Sequence, residues 1–108
     1  MIINKTKGTT ISQKEMICRT VFSQARGLMF RKKQNLLMAF PNERKISLHM
    51  FFVFYPIDVL IVDERRKIVE IKKNLRPFMV WNSLQKGKYV VELAEELGYE
   101  KGDVLEIS

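Results

Sequence analysis

The sequence predicts an all-β fold, mainly antiparallel, curled into a barrel or half-barrel of about seven to eight short strands, with one short principal α-helix near residues 21–31. Three observations carry this expectation. Apolar residues recur at every second position over much of the chain, which is the period of a strand. The runs are short and broken by turn-forming residues, among them Gly8, Pro56 and Gly102-Asp103. One segment alone carries the spacing of a helix face. A chain of 108 residues has room for one hydrophobic core, so a single domain over 1–108 is expected.

Taken in order, Ile2 and Ile3 open a first strand that ends before Gly8, and Glu15 to Thr20 form another. Val21, Ala25, Leu28 and Met29 then fall on one helix face, with Thr20 as N-cap and Arg31, Lys32 and Lys33 suited to the C-terminal dipole. Leu36 to Phe40 follow as a strand. From Lys45 the even positions Ile46, Leu48, Met50, Phe52 and Phe54 are all apolar, so one face of that strand lies wholly in the core. Pro56, which has no N–H to donate, interrupts the ladder. Ile57 to Val62 read as a strand buried on both faces apart from Asp58. Asp63-Glu64-Arg65-Arg66 is a polar tip, and Lys67 to Lys73 return as the second arm of a hairpin, with Val69 and Ile71 facing in. Arg76 to Asn82 lack a clean period and read as a loop, which either folds over one end of the barrel as a plug that buries Trp81 or presents an exposed binding surface. Lys88 to Ala94 form a strand with Tyr89, Val91 and Leu93 on its core face, and Val104 to Ile107 close the chain. The expected core is therefore Met50, Phe52, Phe54, Ile57, Val59, Ile61, Val69, Tyr89, Val91 and Leu93, with Leu28 and Met29 packing the helix onto it.

Composition narrows the class. With 46% hydrophobic and 29% charged residues the chain can build a core, which argues against disorder. The first twenty residues lack the apolar run of a signal peptide, and Met50 to Ile57 is too short to span a bilayer, so no membrane role is expected. The single cysteine, Cys18, excludes an intrachain disulfide and fits a reducing, cytoplasmic setting. The formal charge is +7, and its distribution is uneven: residues 1–87 hold seventeen basic and six acidic side chains, residues 88–108 two and six. A surface of that sign attracts polyanions without specifying which.

Several motifs in order carry a resemblance. Gly27-Leu28-Met29-Phe30-Arg31, Leu36-Leu37-Met38-Ala39-Phe40, Met50 followed by Pro56-Ile57-Asp58, then Tyr89-Val90-Val91-Glu92-Leu93 and Gly102-Asp103-Val104 resemble the domain-of-unknown-function-192 family. The resemblance runs from about Glu15 to Ile107. It implies an all-β, barrel-like domain of bacteria and archaea without an established biochemical activity. Many bacterial members read Trp-Met-Lys-Asn-Thr where this chain reads His49-Met50-Phe51-Phe52-Val53, and the phenylalanine-rich version resembles the archaeal branch.

Few residues suggest chemistry. Asp58 sits in a strongly apolar run, where a buried charge needs a partner; it is either a carboxylate of raised pKa or a structural acceptor paired with Arg31 or with backbone N–H groups. His49 and Cys18 match no metal-ligand spacing, no elbow motif surrounds Ser47 or Ser83, and the five glycines form no phosphate loop. No catalytic residue, metal or cofactor is expected. Three functions compete. The first is a non-catalytic binding module for a small ligand or a protein partner, using Phe78 and Trp81 with Arg31 and Asp58. The second is nucleic-acid binding through Arg65, Arg66, Lys67, Lys72, Lys73 and Arg76, with Trp81 as a stacking platform. The third is an enzyme of unknown type centred on Asp58.

Overall fold

In the computed structural model, residues 1–18, 35–49, 55–94 and 98–107 are described, and they form eight strands in two open sheets. The strands are β1 (Ile2–Asn4), β2 (Thr9–Ser12), β3 (Glu15–Cys18), β4 (Asn35–His49), β5 (Ile57–Val62), β6 (Ile68–Leu75), β7 (Val80–Leu93) and β8 (Leu105–Ile107). The smaller sheet has the order β2-β1-β8 and the larger β3-β4-β7-β5-β6. All pairings are antiparallel except β3 with β4. The all-β, mainly antiparallel expectation therefore holds, but no strand pairing among the described residues closes either sheet into a barrel. Parallel neighbours need a crossover of about a dozen residues or more. Here that connection is residues 19–34, where the expected helix, Leu28, Met29 and Arg31 all lie outside the described residues. The same is true of Met50, Phe52 and Phe54.

The larger sheet is buried on both faces at its centre. All six residues of β5 are buried. Its odd positions Ile57, Val59 and Ile61 join Leu36, Met38, Ile46, Leu48, Leu75 and Val90 in one core. Leu60 and Val62 turn the other way and meet Leu37, Ile68, Val91, Leu93 and Tyr99, together with Ile2, Ile11 and Leu105 of the smaller sheet. Alternation along a strand is thus expressed as two cores rather than as core and solvent. Of the expected core, Ile57, Val59, Ile61, Val91 and Leu93 are fully buried, whereas Val69 and Tyr89 are half-buried.

Irregularities shape the long strands. Leu36 to Phe40 and the run from Lys45 belong to one continuous strand, β4. Between Ala39↔Tyr89 and Arg44↔Gly87 its register with β7 shifts by several residues, and Pro41 sits inside that shift, where a missing N–H breaks no ladder bond. A second shift sets Ile46 against Ser83, Leu84 and Gln85. Its free donors are met locally: the Ile46 N–H donates to Ser83 Oγ at 2.8 Å, and the N–H groups of Leu84 and Gln85 donate to Glu70 Oε1 at 2.8 and 2.7 Å. Where a loop is expected over Arg76 to Asn82, only the first part turns, and β7 begins at Val80. In β6 a bulge between the pairs Ile61↔Glu70 and Val62↔Ile68 places Val69 and Ile71 in opposite cores, although their parity predicts a shared face.

Gly87 of β7 packs tightly against the end of β5. A Cβ there would lie 2.4 Å from Ile61 Cγ2 and 3.3 Å from the Val62 carbonyl oxygen. Gly87→Ala is accordingly expected to destabilise the fold by about 1–3 kcal/mol through overpacking. Urea unfolding of the two proteins measures this, and a loss under about 0.5 kcal/mol would mean that β7 shifts away freely.

Candidate functional site

Asp58 is the suspicious carboxylate of the sequence, and the fold engages both of its oxygens. At its position β5 pairs with Leu93 of β7, while on the other side β6 bulges between Ile57↔Leu75 and Val59↔Lys72. Asn74, in this bulge, has φ 54°, a left-handed conformation that asparagine tolerates better than most residues. Its N–H donates to Asp58 Oδ1 at 2.9 Å, and the Tyr99 hydroxyl donates to Oδ2. Lys73 Nζ stands 5.6 Å from the centre of the Tyr99 ring. Asp58 thus ties the end of β6 to the segment following Gly98, on the side of the core shared with the smaller sheet. This geometry suits the structural-acceptor reading, with Tyr99 and Asn74 as partners; Arg31, the partner expected from sequence, is outside the described residues.

A second carboxylate is buried on the opposite face. Glu92 of β7 is 5% exposed and lies directly between Leu36 of β4 and Val59 of β5, both fully buried and both in the other core. Its Oε2 has no hydrogen-bond partner. Burial pushes the carboxyl up to about 7 from an ordinary 4.5, because water is withdrawn from the charged form and no partner replaces it. Sequence reasoning missed Glu92. The available signal was a charge inside Val90-Val91-Glu92-Leu93, a run otherwise fit for burial.

The remaining candidates are scattered. Trp81 is half-buried and packs on the Glu92 side, against the core that includes Leu48, its cross-strand neighbour. Phe78, with φ 66° in the turn before β7, is 64% exposed, and Met79, Val80 and Leu84 are exposed as well. Trp81 and Asp58 therefore belong to opposite faces of the sheet. The basic residues also divide. Arg65, Arg66 and Lys67 lie in the hairpin turn that Asp63 organises, its Oδ1 accepting from the N–H groups of Arg65 at 2.9 Å and Lys67 at 3.0 Å. Lys72 pairs across from Val59 and shares its face, Lys73 reaches Tyr99 in the other core, and Arg76 is exposed beyond β6.

Elsewhere Asp103 is held below the usual carboxylate range, first by the hydrogen bond from Asn4 Nδ2 at 2.7 Å, against the cost of desolvation and helped by the Glu100 N–H and by Lys7. It joins the β1–β2 corner to the approach to β8. No three or more His, Cys, Asp or Glu side chains converge as metal ligands among the described residues, and the Cys18 and His49 side chains fall outside that set. No helix among the described residues is long and apolar enough to cross a membrane.

Comparison with known proteins agrees with this architecture. Residues 2–107 match the model of the DUF192 family, described as an uncharacterized ACR. A UPF0127 protein of Thermococcus sibiricus is 34% identical, the match covering 98% of this chain and 73% of the relative. One from Pyrococcus horikoshii is 30% identical, over 95% of both chains. Two bacterial crystal structures superpose closely. A Sinorhizobium meliloti protein described as a candidate transcription regulator has a TM-score of 0.85 at 25% identity, covering 97% of this chain and 88% of its own. A Novosphingobium aromaticivorans protein of unknown function has a TM-score of 0.87 at 22% identity, covering 98% and 82%.

The burial of Glu92 makes stability depend on pH. An unfolded chain ionises this group near 4.5, the folded chain near 7. Between these values the folded state keeps a proton that the unfolded state has lost. The contribution is thus fully present below 4.5 and is lost as pH rises through about 7. Glu92→Gln should flatten the unfolding free energy between about pH 5 and pH 8, and at the upper end should exceed the parent by roughly 2–3 kcal/mol. Parallel profiles for the two proteins would show that Glu92 does not titrate in this range.

Proposed function

Because this chain belongs to the DUF192 family of uncharacterized proteins, we propose its function from its own residues: a non-catalytic, cytoplasmic binding module for a small ligand. The observation that carries this reading is the unpartnered carboxyl of Glu92 in the middle of an apolar sheet face. A carboxyl in such surroundings is complemented by a molecule with an apolar body and a hydrogen-bond-donating or cationic head. Such a molecule would have to enter the core beside Leu36, Met38, Val59 and Val90, with its head at Oε2. Trp81 packs against the same core. Asp58 supports a non-catalytic reading, since its oxygens are spent on Asn74 and Tyr99. The likeness to a protein described as a candidate transcription regulator supports a second reading, nucleic-acid binding. Against it, Lys72 and Lys73 leave β6 toward opposite faces and form no single stripe with Trp81.

Trp81 is the only tryptophan, so its fluorescence reports directly on this face. Titration with a primary alkyl amine should give a saturable change that is tighter at about pH 8 than at about pH 5, because the ionised carboxylate then pairs with the ammonium group. An alcohol of equal chain length should bind more weakly and without that pH dependence. Glu92→Leu should remove the preference for the amine. Equal binding of amine and alcohol to both proteins would leave only a nonspecific apolar surface, and binding of oligonucleotides in place of either would favour the second reading.

A further inference from the structure

We propose that Arg66, Lys88 and Tyr89 form an anion site that takes a phosphate group, separate from the Glu92 face. The turn between β5 and β6 sets the position of Arg66. Arg66 has φ 68°, a left-handed conformation that residues with a side chain adopt rarely. The turn fixes it there. Its N–H donates to the Asp63 carbonyl at 3.0 Å, and its own carbonyl accepts from the Leu105 N–H at 2.8 Å. With the backbone pinned at both ends, the guanidinium carbon comes to rest 4.7 Å from the centre of the Tyr89 ring.

Lys88 brings a second cation to the same ring, its Nζ 5.9 Å from the centroid. Ring faces attract cations, but a ring neutralises neither charge. No carboxylate among the described residues comes within ion-pair distance of Arg66 or Lys88; the ion pairs there involve the N-terminus and Lys7. Of the two acids of the turn, Asp63 directs Oδ1 at backbone N–H groups, and the exposed Glu64 makes no ion pair with either cation. The Tyr89 hydroxyl makes no hydrogen bond with the described residues and is a third donor. Arg66, Lys88 and Tyr89 are all half-buried, so the donors are held rather than freely solvated.

A planar guanidinium and an ammonium gathered at one phenol ring suit a tetrahedral, multiply charged oxyanion, for which arginine supplies paired donors and lysine a point charge. Phosphate is that group, either free on a small molecule or within a nucleic-acid backbone.

The test is titration of the full chain with inorganic pyrophosphate and, separately, with a short single-stranded oligonucleotide, following the Arg66 side-chain Nε–H and the amides of Arg65, Arg66 and Lys67 by NMR. Saturable shifts that weaken with added salt are expected. Lys88→Gln, which leaves the turn untouched, and Arg66→Lys, which keeps the charge but loses the fork, should each weaken binding about tenfold. Lys72→Gln and Lys86→Gln remove equal charge elsewhere and should leave binding nearly unchanged. Tight pyrophosphate binding identifies a free phosphate compound; a strong preference for the oligonucleotide identifies a phosphodiester backbone. The proposal fails if neither probe saturates, or if the Lys72 and Lys86 variants weaken binding as much as the other two.

Discussion

The constraint on which the rest of the structure depends is burial of the larger sheet on both faces. β5 contributes six consecutive buried residues, and β7 ends in four more. Once neither face is open to water, every polar side chain on these strands must find its partner inside the fold or remain neutral. Asp58 and Glu92 are the two carboxylates subjected to this condition, and they meet it differently. Asp58 recruits a bulge and a tyrosine hydroxyl. Glu92 recruits nothing for Oε2, and its proton affinity rises instead. The contrast separates a carboxylate whose oxygens are engaged by the fold from one buried with an oxygen left unpartnered.

The bulges follow from the same constraint. β4 and β7 are much longer than the other strands and remain paired only by shifting register twice. Each shift leaves backbone donors without a ladder partner, and the sequence places suitable groups beside them: Pro41 where no donor is wanted, Ser83 and Glu70 where donors need an acceptor. The second shift also turns Leu84 out into solvent. Gly87 follows directly, at the point where a side chain on β7 would collide with Ile61.

These features explain what could be read in the sequence. Ile57 to Val62 announce two-sided burial by carrying five apolar residues in six, and the charged Asp63–Lys67 tip between two apolar runs announces a hairpin. The family motifs spread over the chain made the architecture legible as well. Register was not legible. A period-two pattern assigns faces only while the ladder is regular, and one bulge sends Val69 and Ile71 to different cores. The same reasoning hid Glu92. With Tyr89, Val91 and Leu93 assigned inward, parity puts Glu92 outward, and outward would mean water on a half-exposed strand. In a central strand it means a second core. Tyr99 as the partner of Asp58 carries no local signal, since it is distant in sequence.

The smaller sheet carries a consequence for how the chain folds. Its middle strand, β1, is bounded by β2 on one side and by β8 on the other, with Ile2 directly across from Ile107. β1 therefore completes its hydrogen bonding only when residues from the far end of this domain arrive, and Ile2, Ile11 and Leu105 cover the core of the larger sheet only then. Such sequence-distant contacts slow folding, because loop-closure entropy is lost before they form. On a ribosome the domain stays incomplete until β8 has cleared the exit tunnel, with the apolar face over Leu60, Val62 and Val91 uncovered until that moment.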